Sequence, residues 1–413
     1  MRFSPTPWLV ASVAFVVLGF TRGLHSSFGV FYVSLLDTFG WSRGATAGVF
    51  SVVLTVDALL SPVVGHLLDR FGTRNIACSG CIILALGLVL SSTISSLWQF
   101  YIFFGLIAAV GITFTGMVPH VFLISEWFAA NRASAIGFVY AGTGLGILLL
   151  APLSEWLLSN WGWQRSFQVF SGIVLLALLP VVGIFYQPGP HGEKLRSRKE
   201  VKADDARWTA RLALRSWQFW LLFCARICAA SGTTVIVTHQ VAHVVDVGYS
   251  AFLAASIFGF AGITSSFGRV VFGFIADLLT KQAAYTLNIL MTLVGVGALM
   301  ILRDPSQTWL LYVYVIFFGI GFGSRAVIFS ALTADIFSGK GFGSILGYST
   351  VAVGVGGALG SWLGGAFHDW TGSYFVSFAL SALVLACSDV CIWLASMPSV
   401  AHRDKRLFGP NTA

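Results

Sequence analysis

The sequence predicts an all-α membrane protein, with twelve transmembrane helices arranged as two pseudo-symmetric six-helix bundles. Three observations carry that prediction. Of the 413 residues, 57% are apolar and only 10% charged, with a mean hydropathy of +0.85. A soluble domain carries about 25% charged residues, so a secreted disulfide scaffold, a disordered chain and a nucleic-acid-binding domain are all poor fits. The apolar residues gather into runs of bilayer-spanning length, about 20 residues each, parted by short loops that hold the charge. Finally, the second half of the chain repeats landmarks of the first at an offset near 210 residues.

The first apolar run, 8–36, follows Arg2 and so begins like a signal peptide. It continues past Arg22 to Leu36 with no small-residue cleavage site closing a short core, and is therefore a span. Gly40-Trp41-Ser42 separates it from 44–68, and the charged stretch from Asp69 to Arg74 separates that from 75–95. The runs 98–123, 133–158 and 165–187 complete the first set, the fifth entered after Arg132 and the sixth after Gly162. The second set opens with 217–244 and continues with 251–277 after Gly248-Tyr249-Ser250. Lys281 precedes 282–303, Asp304 and Pro305 part it from 309–334, and Gly372 parts 342–368 from 373–397.

Charge placement orients these spans. Of 24 Lys and Arg residues, 17 fall on the side of the termini, 3 on the other (Arg43, Arg165, Arg303) and 4 inside spans. Basic loops stay cytoplasmic, so both termini are expected in the cytoplasm of a cell membrane, plasma or inner. The net charge of +8 is then topogenic, and no nucleic-acid partner is expected. The chain divides into a bundle over 1–187, a cytoplasmic linker over 188–216, a second bundle over 217–397 and a tail over 398–413. The linker is the only long polar stretch and reads as a solvated connection, with lipid-headgroup contact as the alternative. Six cysteines form three close pairs inside spans, Cys78/Cys81, Cys224/Cys228 and Cys387/Cys391. Lacking a His partner, they are expected to be small core packers. No metal or cofactor is expected.

The repeat is specific. Gly137, Gly144, Gly146 and Gly162 recur as Gly347, Gly354, Gly356 and Gly372, all displaced by 210. Gly65-x-x-x-Asp69 recurs as Gly273-x-x-x-Asp277, displaced by 208, and Ile102-Phe103-Phe104-Gly105 as Ile316-Phe317-Phe318-Gly319, displaced by 214. Two six-span halves of like orientation imply a pseudo-two-fold axis along the membrane normal, with a site at their interface.

Particular residues resemble a known family. The stretch Gly65-x-x-x-Asp69-Arg70-x-Gly72-x-Arg74 resembles the loop between the second and third helices of the major facilitator superfamily. Trp127-Phe-x-x-x-Arg132-x-x-Ala135-x-Gly137, followed by Ala141-Gly142-x-Gly144-x-Gly146, resembles the fifth helix of its monocarboxylate transporter and oxalate:formate antiporter branch. Phe28-Gly-Val-Phe-Tyr32, Phe39-Gly-Trp-Ser-Arg43 and Gly268-Arg269-Val-Val-Phe-Gly273 are similar to the same branch. The resemblance implies that spans one, four, seven and ten line a central cavity and that Gly65, Asp69, Arg70, Gly72, Arg74, Arg132, Gly273 and Asp277 act in gating. The bland alternative for these is a topogenic turn. Where the eukaryotic monocarboxylate carriers have an Asp one turn before the eighth-span Arg, this chain has Ser265.

Buried charge narrows the chemistry. Arg22, Arg226, Arg269 and Arg325 lie well inside spans one, seven, eight and ten, and of the acids only Asp57 and Asp389 lie well inside a span to offset them. Each such cation costs roughly 2.5–3.5 kcal/mol at a helix centre. A water-filled cavity that accepts an anion would hold the surplus. A guanidinium offers a planar fork matched to a carboxylate and keeps its proton. The resemblance implies Arg269 as the carboxylate anchor; pairing with Asp277 is its alternative. For Arg22, Arg226 and Arg325 the alternatives are an ion pair or a snorkelling charge. Asp57 is either a proton-carrying carboxylate or an arginine's partner. His25, His120 and His239 are either proton-coupling groups or hydrogen-bonded packers. Phe28, Tyr32, Phe114, Tyr140 and Tyr348 are candidate cavity walls, or core.

The expectation is a carrier rather than an enzyme, moving a small carboxylate together with a proton through the lipid bilayer by alternating access, and acting as a monomer. An exchanger of dicarboxylates or other organic anions, a drug exporter and a non-transporting membrane sensor stand as alternatives. No phosphate-binding loop of the Walker type is present to suggest ATP-driven pumping.

Overall fold

The computed structural model describes residues 6–128, 132–189, 210–337 and 342–396; most of the expected linker and the whole expected tail lie outside them. Among the described residues all regular structure is helical, and eleven stretches are long and apolar enough to cross a membrane. In chain order the helices are α1 (Pro7–Phe39), α2 (Arg43–Leu68), α3 (Arg70–Ser91), α4 (Leu97–Trp127), α5 (132–161) and α6 (163–185). They continue as α7 (Trp217–Asp246), α8 (Ala251–Leu278), α9 (Lys281–Ile301), α10 (Thr308–Ile336), α11 (Phe342–Thr371) and α12 (Phe375–Ala395).

Helices α5 and α6 belong to one stretch, Ala135–Phe185, of 51 residues. Straight, it would extend about 77 Å, more than twice a hydrocarbon core of about 30 Å. It breaks at Gly162 (φ 76°, ψ 170°). A separate loop was expected over 159–164; a glycine with positive φ does that work alone, because it has no Cβ to clash. Gly372, its partner in the repeat, likewise has positive φ (69°) between α11 and α12.

Turn chemistry explains a second repeated motif. Gly40 (φ 65°) ends α1, and the Ser42 hydroxyl caps α2 by accepting from the Ala45 amide at 3.3 Å. Gly248 (φ 107°) and Ser250, which caps Leu253 at 3.2 Å, do the same between α7 and α8. A left-handed stop followed by a serine N-cap is the economical way to reverse two helices.

The glycines of α5 and α11 work on two faces. Gly142 and Gly146 press on α1, where a Cβ at Gly146 would fall inside the Gly19 carbonyl. Gly144, between them, faces Gly262 and Ser266 of α8. On α11, Gly356 and Gly360 press on Ile227 and Ser231 of α7, while Gly354 and Gly357 face Leu54 of α2. Each helix therefore binds its own set on one face and meets the opposite set on the other. Gly146→Ala is expected to lower stability by about 1–3 kcal/mol, the usual cost of overpacking. Gly137→Ala, with nothing within 4 Å of its Cβ, is expected to stay within about 0.5 kcal/mol. Melting temperatures of the two variants in detergent check this.

Aromatic stacking fills the first set: Phe28 lies on Phe50 (4.7 Å between centroids) and on Phe104 (5.8 Å), and Phe31 on Phe167 (4.5 Å). The expected packing role of the cysteines is only partly met. All six are free; Cys81 is buried, but Cys224 and Cys387 are exposed.

Candidate functional site

Three of the four intramembrane arginines lie at a common depth. At about 1.5 Å per residue, Arg226, Arg269 and Arg325 stand roughly 14–17 Å along α7, α8 and α10 from the ends nearest the chain termini. That is mid-depth in a bilayer about 30 Å thick.

Arg22 has an acid. Its Nη1 donates to Asp57 Oδ2 at 3.2 Å, joining α1 to α2, with both side chains largely buried. His25, one turn after Arg22, lies tilted against Phe50 (4.9 Å between centroids), and its Nε2 is buried with no hydrogen-bond partner. Arginine, carboxylate and imidazole thus form one polar cluster in the first helix set.

The other three arginines make no ion pair among the described residues. Arg269 donates through Nη1 to the Tyr140 carbonyl of α5 at 3.0 Å and through Nε to the Gly323 carbonyl of α10 at 3.3 Å. It therefore bridges the two sets through neutral acceptors. Arg226 donates to the Ser349 hydroxyl on α11 at 2.7 Å and sits over the Phe329 ring at 4.6 Å. Arg325 is buried and reaches across to Ala229 and Thr233 of α7. Asp389, the other intramembrane acid, accepts from Thr286 at 2.9 Å on the α9–α12 side, where it ties helices together. The second set thus carries a surplus of positive charge, which only an anion or water can relieve at modest cost.

The remaining candidates divide. His120 is fully buried, with Nδ1 bonding the Gly116 carbonyl at 2.6 Å and Nε2 accepting from the Tyr186 hydroxyl at 2.7 Å. Both ring nitrogens are used, which is the packing alternative. Phe28 is 1% exposed within the aromatic stack, so it is core and not cavity wall. Phe114 packs against the small cluster of Val64, Leu68 and Ile76. Tyr140 is half-buried beside Arg269, and Tyr348 is 49% exposed. Arg70 and Arg74 are exposed, Arg70 lying over Phe71 at 5.2 Å. Gly72 (φ 76°) breaks the helical run near the start of α3, and Gly65 has open space around it. The side chains of Asp69, Arg132 and Asp277, and the surroundings of Gly273, lie outside the described residues.

The sequence profile of the Major Facilitator Superfamily matches residues 11–324 and 286–411. The chain belongs to the major facilitator superfamily. It is 30% identical to monocarboxylate transporter 13 of Rattus norvegicus over 393 residues, covering 94% of this chain and 88% of the relative. It is 26% identical to monocarboxylate transporter 2 of Homo sapiens over 421 residues, covering 96% and 86%. The fold is similar to that of a bacterial homologue of the human lysosomal transporter Spinster, solved inward-facing and unoccupied (TM-score 0.74, 16% identity, 95% and 98% coverage). It is similar also to a mutant of the nucleoside transporter NupG (TM-score 0.76, 11% identity, 94% and 100% coverage). This facilitator is thus a monocarboxylate-transporter-like membrane carrier, and not an enzyme.

In this facilitator the two sets meet firmly at the end opposite the termini. Arg43, at the start of α2, grips Asp246 of α7 with both Nη atoms (2.6 and 2.9 Å) and donates to the Tyr374 hydroxyl at 2.8 Å. Asp369, ending α11, accepts from the Arg43 and Gly44 amides at 2.8 and 2.7 Å. A carboxylate at the first amides of a helix is favoured by the helix dipole. Tyr32 bonds the Arg43 carbonyl at 3.1 Å, and His239, beside Tyr32 and Tyr374, bonds the Ser361 carbonyl at 2.9 Å. Tyr32 and His239 therefore belong to this closure. Ser51 and Ser361 extend it by bonding carbonyls across the α2–α11 seam. At the other end Gly65 and Gly137 have no atom within 4 Å of a would-be Cβ.

In the sequence Arg43 is legible only as part of a family motif and as a loop charge. Its partners lie 203 and 326 residues away; the sole hint was acids at the matching ends of spans seven and eleven. Arg43→Gln is expected to loosen the closure. In a cysteine-free background carrying Ser51→Cys, an impermeant maleimide should label Cys several-fold faster than with Arg43 present. Because the Arg43–Asp246 pair is part-exposed, high salt should narrow the difference.

Proposed function

We propose that this facilitator is a secondary active carrier of small monocarboxylates, moving each together with a proton by alternating access through twelve membrane crossings. The observation that carries the reading is the group of three intramembrane arginines with no acid paired to them among the described residues, Arg226, Arg269 and Arg325. The names of its relatives point the same way. In this reading the chain works as a monomer whose bundles, 1–187 and 217–397, rock about a site at their interface. The basic excess puts the termini in the cytoplasm, which makes this conformation the inward-open one. Arg269 takes the carboxylate, exchanging neutral carbonyl partners for a charged acceptor that binds more strongly. The Arg22–Asp57–His25 cluster handles the proton: protonation of Asp57 frees Arg22, and its loss restores the pair. An anion moving against the membrane potential meets about 2.3 kcal/mol per charge per 100 mV; a co-transported proton cancels that term. The surplus of arginines supports a second reading, exchange of one organic anion for another.

Uptake of labelled lactate and pyruvate into proteoliposomes, with and without an imposed pH gradient, tests the proposal. Saturable uptake accelerated by an acidic outside is expected. Counterflow indifferent to pH would replace symport with exchange, and preference for lipophilic cations would overturn the anion reading altogether.

A further inference from the structure

Arg325 presents an unused edge. It is 8% exposed, and a single nitrogen, Nη1, reaches α7, at the Ala229 carbonyl (3.3 Å) and the Thr233 hydroxyl. Its Nε and Nη2 are buried and bond nothing. These two N–H groups share the side-on edge of the guanidinium, whose parallel donors match the two oxygens of a carboxylate. Leaving such donors buried and unpaired is costly, and a carboxylate at this edge would remove that cost.

Arg226 belongs to the same place. It precedes Ala229 and Thr233 by three and seven residues on α7, so all three share one helix face. Its guanidinium lies over Phe329, which follows Arg325 by one turn on α10. Both guanidiniums therefore bridge α7 and α10 from opposite helices, about one turn apart, with Ser349 of α11 beside Arg226. Neither is in an ion pair among the described residues, and Asp389 is committed to Thr286. Arg269 lies apart from them. It bonds the Gly323 carbonyl, and Gly323 packs on Ser265 of α8. Residues 323 and 325 are about 200° apart around α10, so the body of that helix separates Arg269 from this pair.

We infer that Arg226 and Arg325 form a second carboxylate seat, distinct from Arg269, in which the side-on edge of Arg325 is the bidentate donor. The inference rests on the reading of the chain as a carboxylate carrier and extends its substrate class: the protein holds two carboxylates at once. They are either two groups of one dicarboxylate or two separate monocarboxylate molecules, and binding stoichiometry distinguishes these.

Calorimetric titration of the full-length protein in nanodiscs with lactate and with succinate tests it, using wild type, Arg325→Gln, Arg325→Lys and Arg226→Gln. Two lactates per wild-type chain, falling to one in the Gln variants, establishes a seat for a separate molecule. One ligand per chain, with succinate bound at least about tenfold more tightly than lactate and that margin lost in the Gln variants, establishes a seat for the distal group. Arg325→Lys keeps the charge without the edge and should weaken the same signal by about tenfold. Arg226, half-buried at the wall, provides a variant that does not disturb the α7–α10 bond. The seat is overturned by one lactate per chain with no succinate margin, or by a second site or margin that survives both Gln variants. Wild type that binds neither acid overturns the seat and the carrier reading together, and the uptake assay registers the latter independently.

Discussion

Arg269→Lys is expected to cut carboxylate uptake by about 100-fold while the protein still folds and inserts. Lysine preserves the positive charge but is a point donor, and a planar bidentate grip is lost with the fork. A hydrogen bond to a charged partner contributes about 1.5–3 kcal/mol, and 2.7 kcal/mol is about 100-fold. The two present acceptors of Arg269, the carbonyls of Tyr140 and Gly323, are uncharged and bonded at 3.0 and 3.3 Å, so a carboxylate can displace them. The substitution also removes a tie between α5 and α8. Initial rates over a range of lactate concentrations separate the two roles: loss of the anchor raises KM, whereas loss of the tie alone changes the maximal rate. Full uptake by the Lys variant would remove Arg269 from the binding role.

Asp57→Ala is expected to damage the protein more than the double change Arg22→Ala with Asp57→Ala. Removing one partner of a buried pair strands the other charge at a cost of about 3–5 kcal/mol, whereas removing both is often nearly neutral. The pair is not wholly dry, its side chains being 13% and 22% exposed, so the low end of that range applies. A double-mutant cycle on melting temperature measures the coupling. Asp57→Asn adds a functional arm. If this carboxylate handles the proton, the variant should lose acceleration by a pH gradient yet retain exchange of preloaded lactate.

What the sequence reveals about this molecule depends on how local the cause is. Gly40-Trp41-Ser42 and its repeat at Gly248 are legible because a helix stop and an N-cap need only three adjacent residues. The apolar spans are legible because bilayer thickness dictates length. The break at Gly162 was placed correctly, but its brevity was not, since whether a turn needs one residue or six depends on packing between α5 and α6. Phe28 was left open between cavity wall and core because a helical stripe of aromatics does not say which face meets the bundle interior; it packs as core against Phe50, Phe100 and Phe104 of α2 and α4. The Arg22–Asp57 pair was one of two open alternatives; the contact that forms it joins residues 35 apart in sequence. The Arg43 closure was missed because charges at loop ends look topogenic until the helices are assembled.

The glycine surfaces of α5 and α11 bear on how cheaply this machine can change shape. Where Gly144 meets the Gly262 carbonyl the opposing walls approach as main chain, and where Gly357 meets Leu54 the glycine leaves only a shallow seat for one side chain. Sliding along such walls exchanges one set of weak dispersion contacts for another of similar depth, so neither conformer gains a large advantage. Two states separated by only a few kcal/mol respond to a ligand in proportion to its differential affinity. A metabolite that binds the two states about 1000-fold differently, about 4 kcal/mol, is then enough to reverse their populations, and each added methyl on these walls acts as a brake.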